Sequence, residues 1–208
     1  MSGDLALPFS PDALPCYAAR AACEPRVMSE LDRAMERFLD GDIRGFDALY
    51  RAMAPRVRGL LRGLCGDPRL AEDLVQTTFL KIHAARETFH RGAPVEPWVF
   101  AIARRTLLDQ RRRTRRRPED LSSDGVLPER VEETVAEGFN RLDPEVVATI
   151  QRELDALPPA QREAVVLLKM QDLSVAEAAA VAGVTPSALK VRAHRGYEAL
   201  RRAVGLKP

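Results

Sequence analysis

The stretch that most limits what this chain can fold into runs from Ser174 to Val204, SVAEAAAVAGVTPSALKVRAHRGYEALRRAV. Ser174 and Glu177 stand three apart before an apolar run, the spacing of a capping box that opens a helix. Gly183 follows, a residue that enters the left-handed turn without a Cβ penalty. Thr185 then suits an N-cap, and Pro186 the first helical position, where its missing N–H removes no bond. Ala178, Ala179 and Ala180 let the two helices approach closely. A short helix, a glycine turn and a longer helix with polar residues near its start form a helix-turn-helix.

The longer helix divides into two faces. At about 100° per residue, Leu189, Ala193, Gly196, Tyr197, Leu200 and Val204 share one side. Ser187, Lys190, Val191, His194 and Arg195 occupy the other within the first three turns. One face packs on a core while the other presents donors and positive charge, as a helix in a DNA major groove must. A solvated basic helix would carry the same pattern.

Net charge is only +2, but the charge is segregated. Residues 104–117 hold eight Arg and one Asp, residues 118–145 nine acidic residues and two Arg, and residues 185–208 six Lys/Arg and one Glu. Arginines this dense repel one another unless a polyanion neutralises them. Two basic surfaces joined by an acidic stretch therefore point to nucleic acid.

Upstream, the periodicity is helical throughout. Ser29 with Asp32 caps a first helix carrying Leu31, Met35, Phe38 and Leu39, which Gly41-Asp42 breaks. A second is expected over Ile43–Met53, and a third from Pro55 to Gly66-Asp67. Pro68 opens a fourth, expected to reach Phe89, with Ala71, Leu74, Val75, Thr78, Phe79 and Ile82 on its apolar arc. Asp73, Gln76, Thr77 and Leu80 lie opposite, so Leu80 is an apolar residue on a polar face. It either docks a partner or is covered by another helix of its own domain. After a turn at His90–Glu96, a helix from Pro97 to Arg117 sets Val99, Ile102, Ala103, Thr106 and Leu107 against Arg104, Arg105, Arg111, Arg112, Arg115 and Arg116. Trp98 at its start serves as a core anchor or as a stacking platform for an unpaired base.

Residues 118–144 read as an acidic linker, with a short helix fitting Glu129–Phe139. The acidity either extends a solvated tether or fills a channel built for nucleic acid. Val146, Val147, Ile150, Leu154 and Leu157 then form a stripe ended by Pro158-Pro159, and a helix is expected over Ala160–Gln171. Residues 1–28 carry four prolines and no periodicity, and read as an irregular extension. Their Cys16 and Cys23, with Cys65, make an odd count that fits free thiols in a reducing compartment better than a metal site or redox pair. No cationic stretch precedes an apolar core, and no run approaches the roughly 18 apolar residues of a membrane span, so a cytoplasmic location is expected.

Together these pieces resemble the extracytoplasmic-function (ECF) sigma factors, the two-domain members of the sigma-70 family. The resemblance covers residues 30–204. It rests on Gly41-Asp42 with Phe46, Leu49 and Tyr50, on AEDLVQTTFLKIH (71–83), on PWVFAIARRTLLDQRRR (97–113), and on residues 154–202. It implies an all-α protein. A four-to-five-helix region 2-like domain (29–117) and a region 4-like helix-turn-helix domain (145–208) would be joined by a flexible acidic linker (118–144). It implies a transcription initiation factor with no cofactor and no enzymatic activity, bound to RNA polymerase core through the clamp helices of the largest subunit and the flap.

By the same resemblance, Asp73, Gln76, Thr77 and Leu80 would meet the clamp helices. Trp98, Arg104, Arg105, Arg111, Arg112 and Arg115 would engage and melt the minus-ten element of promoter DNA. Ser187, Lys190, Val191, His194 and Arg195 would read the minus-thirty-five element. An anti-sigma factor is the implied regulatory partner. The chain departs from the usual family pattern at Thr77, Arg105, Val191 and Gly196-Tyr197. A stand-alone helix-turn-helix regulator would explain the last 60 residues but neither the Arg-rich helix nor the Leu80 face. A nucleic-acid enzyme needs clustered carboxylates or a nucleophile with its base, whereas His83, His90 and His194 are scattered.

Overall fold

The computed structural model describes residues 27–116 and 144–203, and every regular element among them is helical. The first unit comprises α1 (Glu30–Leu39), α2 (Ile43–Cys65), α3 (Pro68–Ala84), a 3₁₀ turn (Arg86–Thr88) and α4 (Val95–Arg116). The second comprises α5 (Pro144–Ala156), α6 (Pro159–Val165) running into a π turn (Val166–Met170), α7 (Val175–Ala182) and α8 (Pro186–Ala203). The proposed Glu129–Phe139 helix, Cys16 and Cys23 lie outside the described residues.

The capping box at Ser29 and Asp32 forms as expected. Asp32 is buried and also ties two helix starts together. One carboxylate oxygen accepts from Ser29 N and Oγ at 2.8 and 2.7 Å, and the other from Val95 N at 3.4 Å. α4 thus begins two residues before the expected Pro97, which still falls in the first turn, where proline is tolerated.

The expected break at Pro55 does not occur. α2 is one helix of 23 residues with the proline inside. Leu49, Met53, Val57, Leu60, Leu61 and Leu64 keep one apolar stripe in register across it, and all are buried. At about 1.5–3 kcal/mol per buried side chain, that stripe outweighs the roughly 3 kcal/mol an interior proline costs. The fourth expected helix ends at Ala84 rather than Phe89, and Phe89 turns in to meet the Trp98 ring edge-on at 5.2 Å between centroids. The expected Ala160–Gln171 helix instead starts at Pro159 and changes to a π turn at Val166.

One continuous apolar core runs through both units. α4 packs on α7, and the C-terminal half of α2 packs on α5, α6 and the π turn. Gly63 brings α2 and the π turn close together. A Cβ there would stand 3.1 and 3.3 Å from the two γ-carbons of Val166.

Candidate nucleic-acid interface

The helix-turn-helix forms from the signals that foretold it. Ser174 Oγ accepts from Glu177 N, and the Glu177 carboxylate accepts from Ser174 N at 2.9 Å. Gly183 ends α7 with φ +66°, and Thr185 Oγ1 accepts from Ala188 N at 3.2 Å to start α8. Leu189, Ala193 and Gly196 are buried. Ser187, Lys190, Val191, His194 and Arg195 are all exposed, on one continuous face. Val191, half exposed at 50 %, gives that face an apolar centre suited to a thymine methyl.

What sits behind that face was not legible in the sequence. α8 crosses α6 so closely that a Cβ on Gly196 would lie 2.7 Å from Val165 Cγ2 and 3.3 Å from Gln161 O. The glycine is therefore a packing requirement of the crossing. Tyr197 next to it is half-buried, with its hydroxyl buried and unpartnered and Lys169 Nζ 5.9 Å from its ring centre. Burial pushes its phenol above the ordinary tyrosine range.

The Arg-rich α4 differs from expectation in what its arginines touch. Arg104, partly buried, reaches into the second unit, donating to Glu163 from Nε at 2.5 Å and from Nη2 at 3.4 Å. Arg111 Nη2 donates to the Leu64 carbonyl at 2.8 Å, capping the C-terminal end of α2. Arg112 pairs with Asp109, which also accepts from Lys81 of α3 at 3.3 Å. Burial pushes the Asp109 carboxyl up, and the bonds from Arg112 and Lys81 outweigh it, so it titrates below the ordinary aspartate value. Arg105 is half-buried. Arg115 and its neighbours Arg113 and Arg116 are exposed at the end of the helix, with no ion pair among the described residues. Trp98 is half-buried against Phe89 and the core, with its indole N–H buried and unpartnered, so in this conformation it is an anchor rather than an open ring.

On α3, Asp73 and Gln76 are exposed and Leu80 is 73 % exposed, with no described helix covering it. Thr77 is half-exposed and bonds back to the Asp73 carbonyl at 2.9 Å. Tyr50 of α2, itself 40 % exposed, packs edge-on to Phe79 beside this face at 4.6 Å. Among the described residues no group of three or more His, Cys, Asp or Glu is placed to hold a metal ion. Cys65 is a free, half-buried thiol whose pKa burial raises. No described helix is long and apolar enough to cross a membrane.

Comparison with known proteins settles the family. Residues 49–117 match the model for sigma-70 region 2, and residues 148–200 that for sigma-70 region 4. The chain is 37% identical over 172 residues to the RNA polymerase sigma factor CarQ of Myxococcus xanthus, covering 82% of this chain and 95% of CarQ. It belongs to the ECF group of the sigma-70 family. The ECF sigma factor SigF of Caulobacter vibrioides is 35% identical over 182 residues, covering 85% of this sigma factor and 97% of SigF. Among solved structures, the sigma factor RpoE in complex with the anti-sigma factor NepR from Bartonella quintana superposes with a TM-score of 0.63 at 29% identity, covering 78% of this chain and 98% of that one. CnrH, in complex with the cytosolic domain of CnrY, shares the fold with a TM-score of 0.64 at 21% identity, covering 86% and 100%. This sigma factor is accordingly a transcription initiation factor rather than an enzyme, a subunit that gives RNA polymerase its promoter.

Proposed function

We propose that this sigma factor divides promoter recognition between its two helical units. The region 4-like unit (145–208) reads the minus-thirty-five element with Ser187, Lys190, Val191, His194 and Arg195. The region 2-like unit (29–117) engages the minus-ten element along α4. The observation that carries this reading is the exposed face of α8, held on a capped helix-turn-helix with its opposite side buried. Ser187, Lys190, His194 and Arg195 mix phosphate contacts that set register with contacts to base edges, where Val191 joins them.

On α4, Arg113, Arg115 and Arg116 offer the open charge for phosphates, with Arg104, Arg105, Arg111 and Arg112 nearer the body. Trp98 anchors the preceding loop, and a stacking role requires its ring to leave Phe89. Melting needs no hydrolysis, because binding energy for the unpaired strand offsets the cost of unstacking. Asp73, Gln76, Thr77 and Leu80 form the docking face for the polymerase clamp helices, which gives an exposed leucine a partner. An anti-sigma factor controls the protein in the cytoplasm, a reading supported by the likeness to a sigma factor crystallised with one.

In vitro transcription with purified core polymerase on genomic DNA tests the reading and yields the promoter motif. Discrete start sites sharing two spaced elements are expected, and their absence would sink it. In the same assay Leu80→Asp should lose most core binding while its melting temperature stays unchanged. A fall in melting temperature would instead place Leu80 in the fold.

A further inference from the structure

Helix α1 carries a ladder of acids that works against its own stability. Asp32, Glu36 and Asp40 stand four apart and so share one face. Like charges at that spacing repel. Glu36 lies in the last turn of α1 and Asp40 caps its C-terminus, where the helix dipole disfavours negative charge. The segment between the 3₁₀ turn and α4 meets each carboxylate with a donor. Arg91 donates to Glu36 through Nη1 and to Asp40 through Nη2, the latter at 2.6 Å. Gly92 N donates to the other Glu36 oxygen at 3.3 Å, and Val95 N to Asp32 at 3.4 Å. Phe89, Ala93 and Pro94 are buried, whereas His90, Arg91 and Gly92 are exposed. Gly92 takes φ +81°, a backbone state that side-chain-bearing residues rarely hold. The tip is thus an exposed loop whose backbone is tied down by α1.

We propose that Asp32, Glu36 and Asp40 are positioning residues, which hold the 89–95 segment in the shape that receives the unpaired minus-ten strand. This rests on the reading above, in which the region 2-like unit engages that element. The segment leads directly into the first turn of α4, where Trp98 lies, so a shift of its backbone moves the start of that helix too. Carboxylates on a DNA-binding unit repel phosphate, and their direct effect on a polyanion is unfavourable. What they contribute is order. A loop fixed before the strand arrives does not draw its ordering cost from binding energy. Each residue left unfixed would weaken binding about tenfold.

Two double variants of the full chain, assembled with core polymerase, test this. Glu36→Ala with Asp40→Ala removes both charges and both acceptors. Glu36→Gln with Asp40→Asn removes the same charges but still offers acceptors to Arg91 and Gly92 N. The probes are core polymerase itself, a duplex carrying only the minus-thirty-five element, and a single-stranded oligonucleotide of the non-template minus-ten sequence. Both DNAs come from a promoter recovered by the transcription assay above. The alanine variant should bind the single strand about tenfold more weakly, with core and duplex affinities unchanged. The amide variant should recover most of that loss. Bulk electrostatics predicts the opposite sign, because both variants lose two negative charges. Unchanged or tighter single-strand binding by the alanine variant overturns the proposal. So do equal losses in the two variants, since hydrogen bonds to the loop would then not matter. A loss shared by core and both DNAs overturns it as well, because the carboxylates would then support the fold alone. An unmodified holoenzyme with no affinity for the single strand would instead overturn the reading beneath the proposal.

Discussion

Helices α4 and α8 are both long, apolar on one side and rich in arginine, and they differ in what their charges already hold. On α8 the outward residues Ser187, Lys190, His194 and Arg195 are exposed around Val191. On α4, Arg104, Arg111 and Arg112 are engaged by Glu163, the Leu64 carbonyl and Asp109, and the open charge is concentrated at the last turn. Charge density along a sequence therefore measures potential for binding a polyanion, not availability. The denser helix is the less available one here, because a single guanidinium also suits a carboxylate or a helix C-terminus.

The contrast breaks most visibly on α8. Lys190→Ala with Arg195→Ala should weaken promoter binding by about 1–3 kcal/mol for each base no longer read, with relaxed selection at that base. Unchanged promoter selection in binding assays would return α8 to a plain solvated helix. On α4, Arg104→Ala should lower folding stability by about 2 kcal/mol, since a mostly buried Glu163 loses a charged partner. An unaltered denaturation midpoint would show that the pair contributes little.

Replacing Arg113, Arg115 and Arg116 by Gln should leave that midpoint alone and reduce the salt slope of holoenzyme–DNA binding by about 0.9 for each phosphate no longer neutralised. A constant slope would mean that the last turn of α4 faces solvent in the complex. The smallest effect belongs to Tyr197→Phe, which deletes a buried hydroxyl with no partner. Stability should hold or rise by up to ~1 kcal/mol, and a clear loss by calorimetry would reveal a bond to that oxygen.

Much of this was readable from residues alone. The capping pairs at Ser29/Asp32 and Ser174/Glu177, the turn at Gly183, the outward face of α8 and the misfit of Leu80 are all local signals with a range of about four residues or fewer. Periodicity reports which side of a helix is apolar. It does not report the partner on either side. So Pro55 reads as a break although the stripe on both sides of it keeps one register. Arg104 reads as a free charge although its partner lies 59 residues away. Gly196 reads as a mere departure from pattern, because the crossing that needs it involves another helix. The packing of the two units is invisible for the same reason: it is written in shape, at Gly63 and Val166, rather than in spacing.

The Leu64 carbonyl has a consequence of its own. It accepts from Arg111 of its own unit at 2.8 Å and from Arg162 of the other at 3.4 Å. Were Arg162 withdrawn, Arg111 would still satisfy this oxygen from within its own unit. The Gln171 carbonyl on the same seam differs, since its donor Arg56 comes from the other unit. Two acceptors at one seam therefore differ in which unit owns the donor.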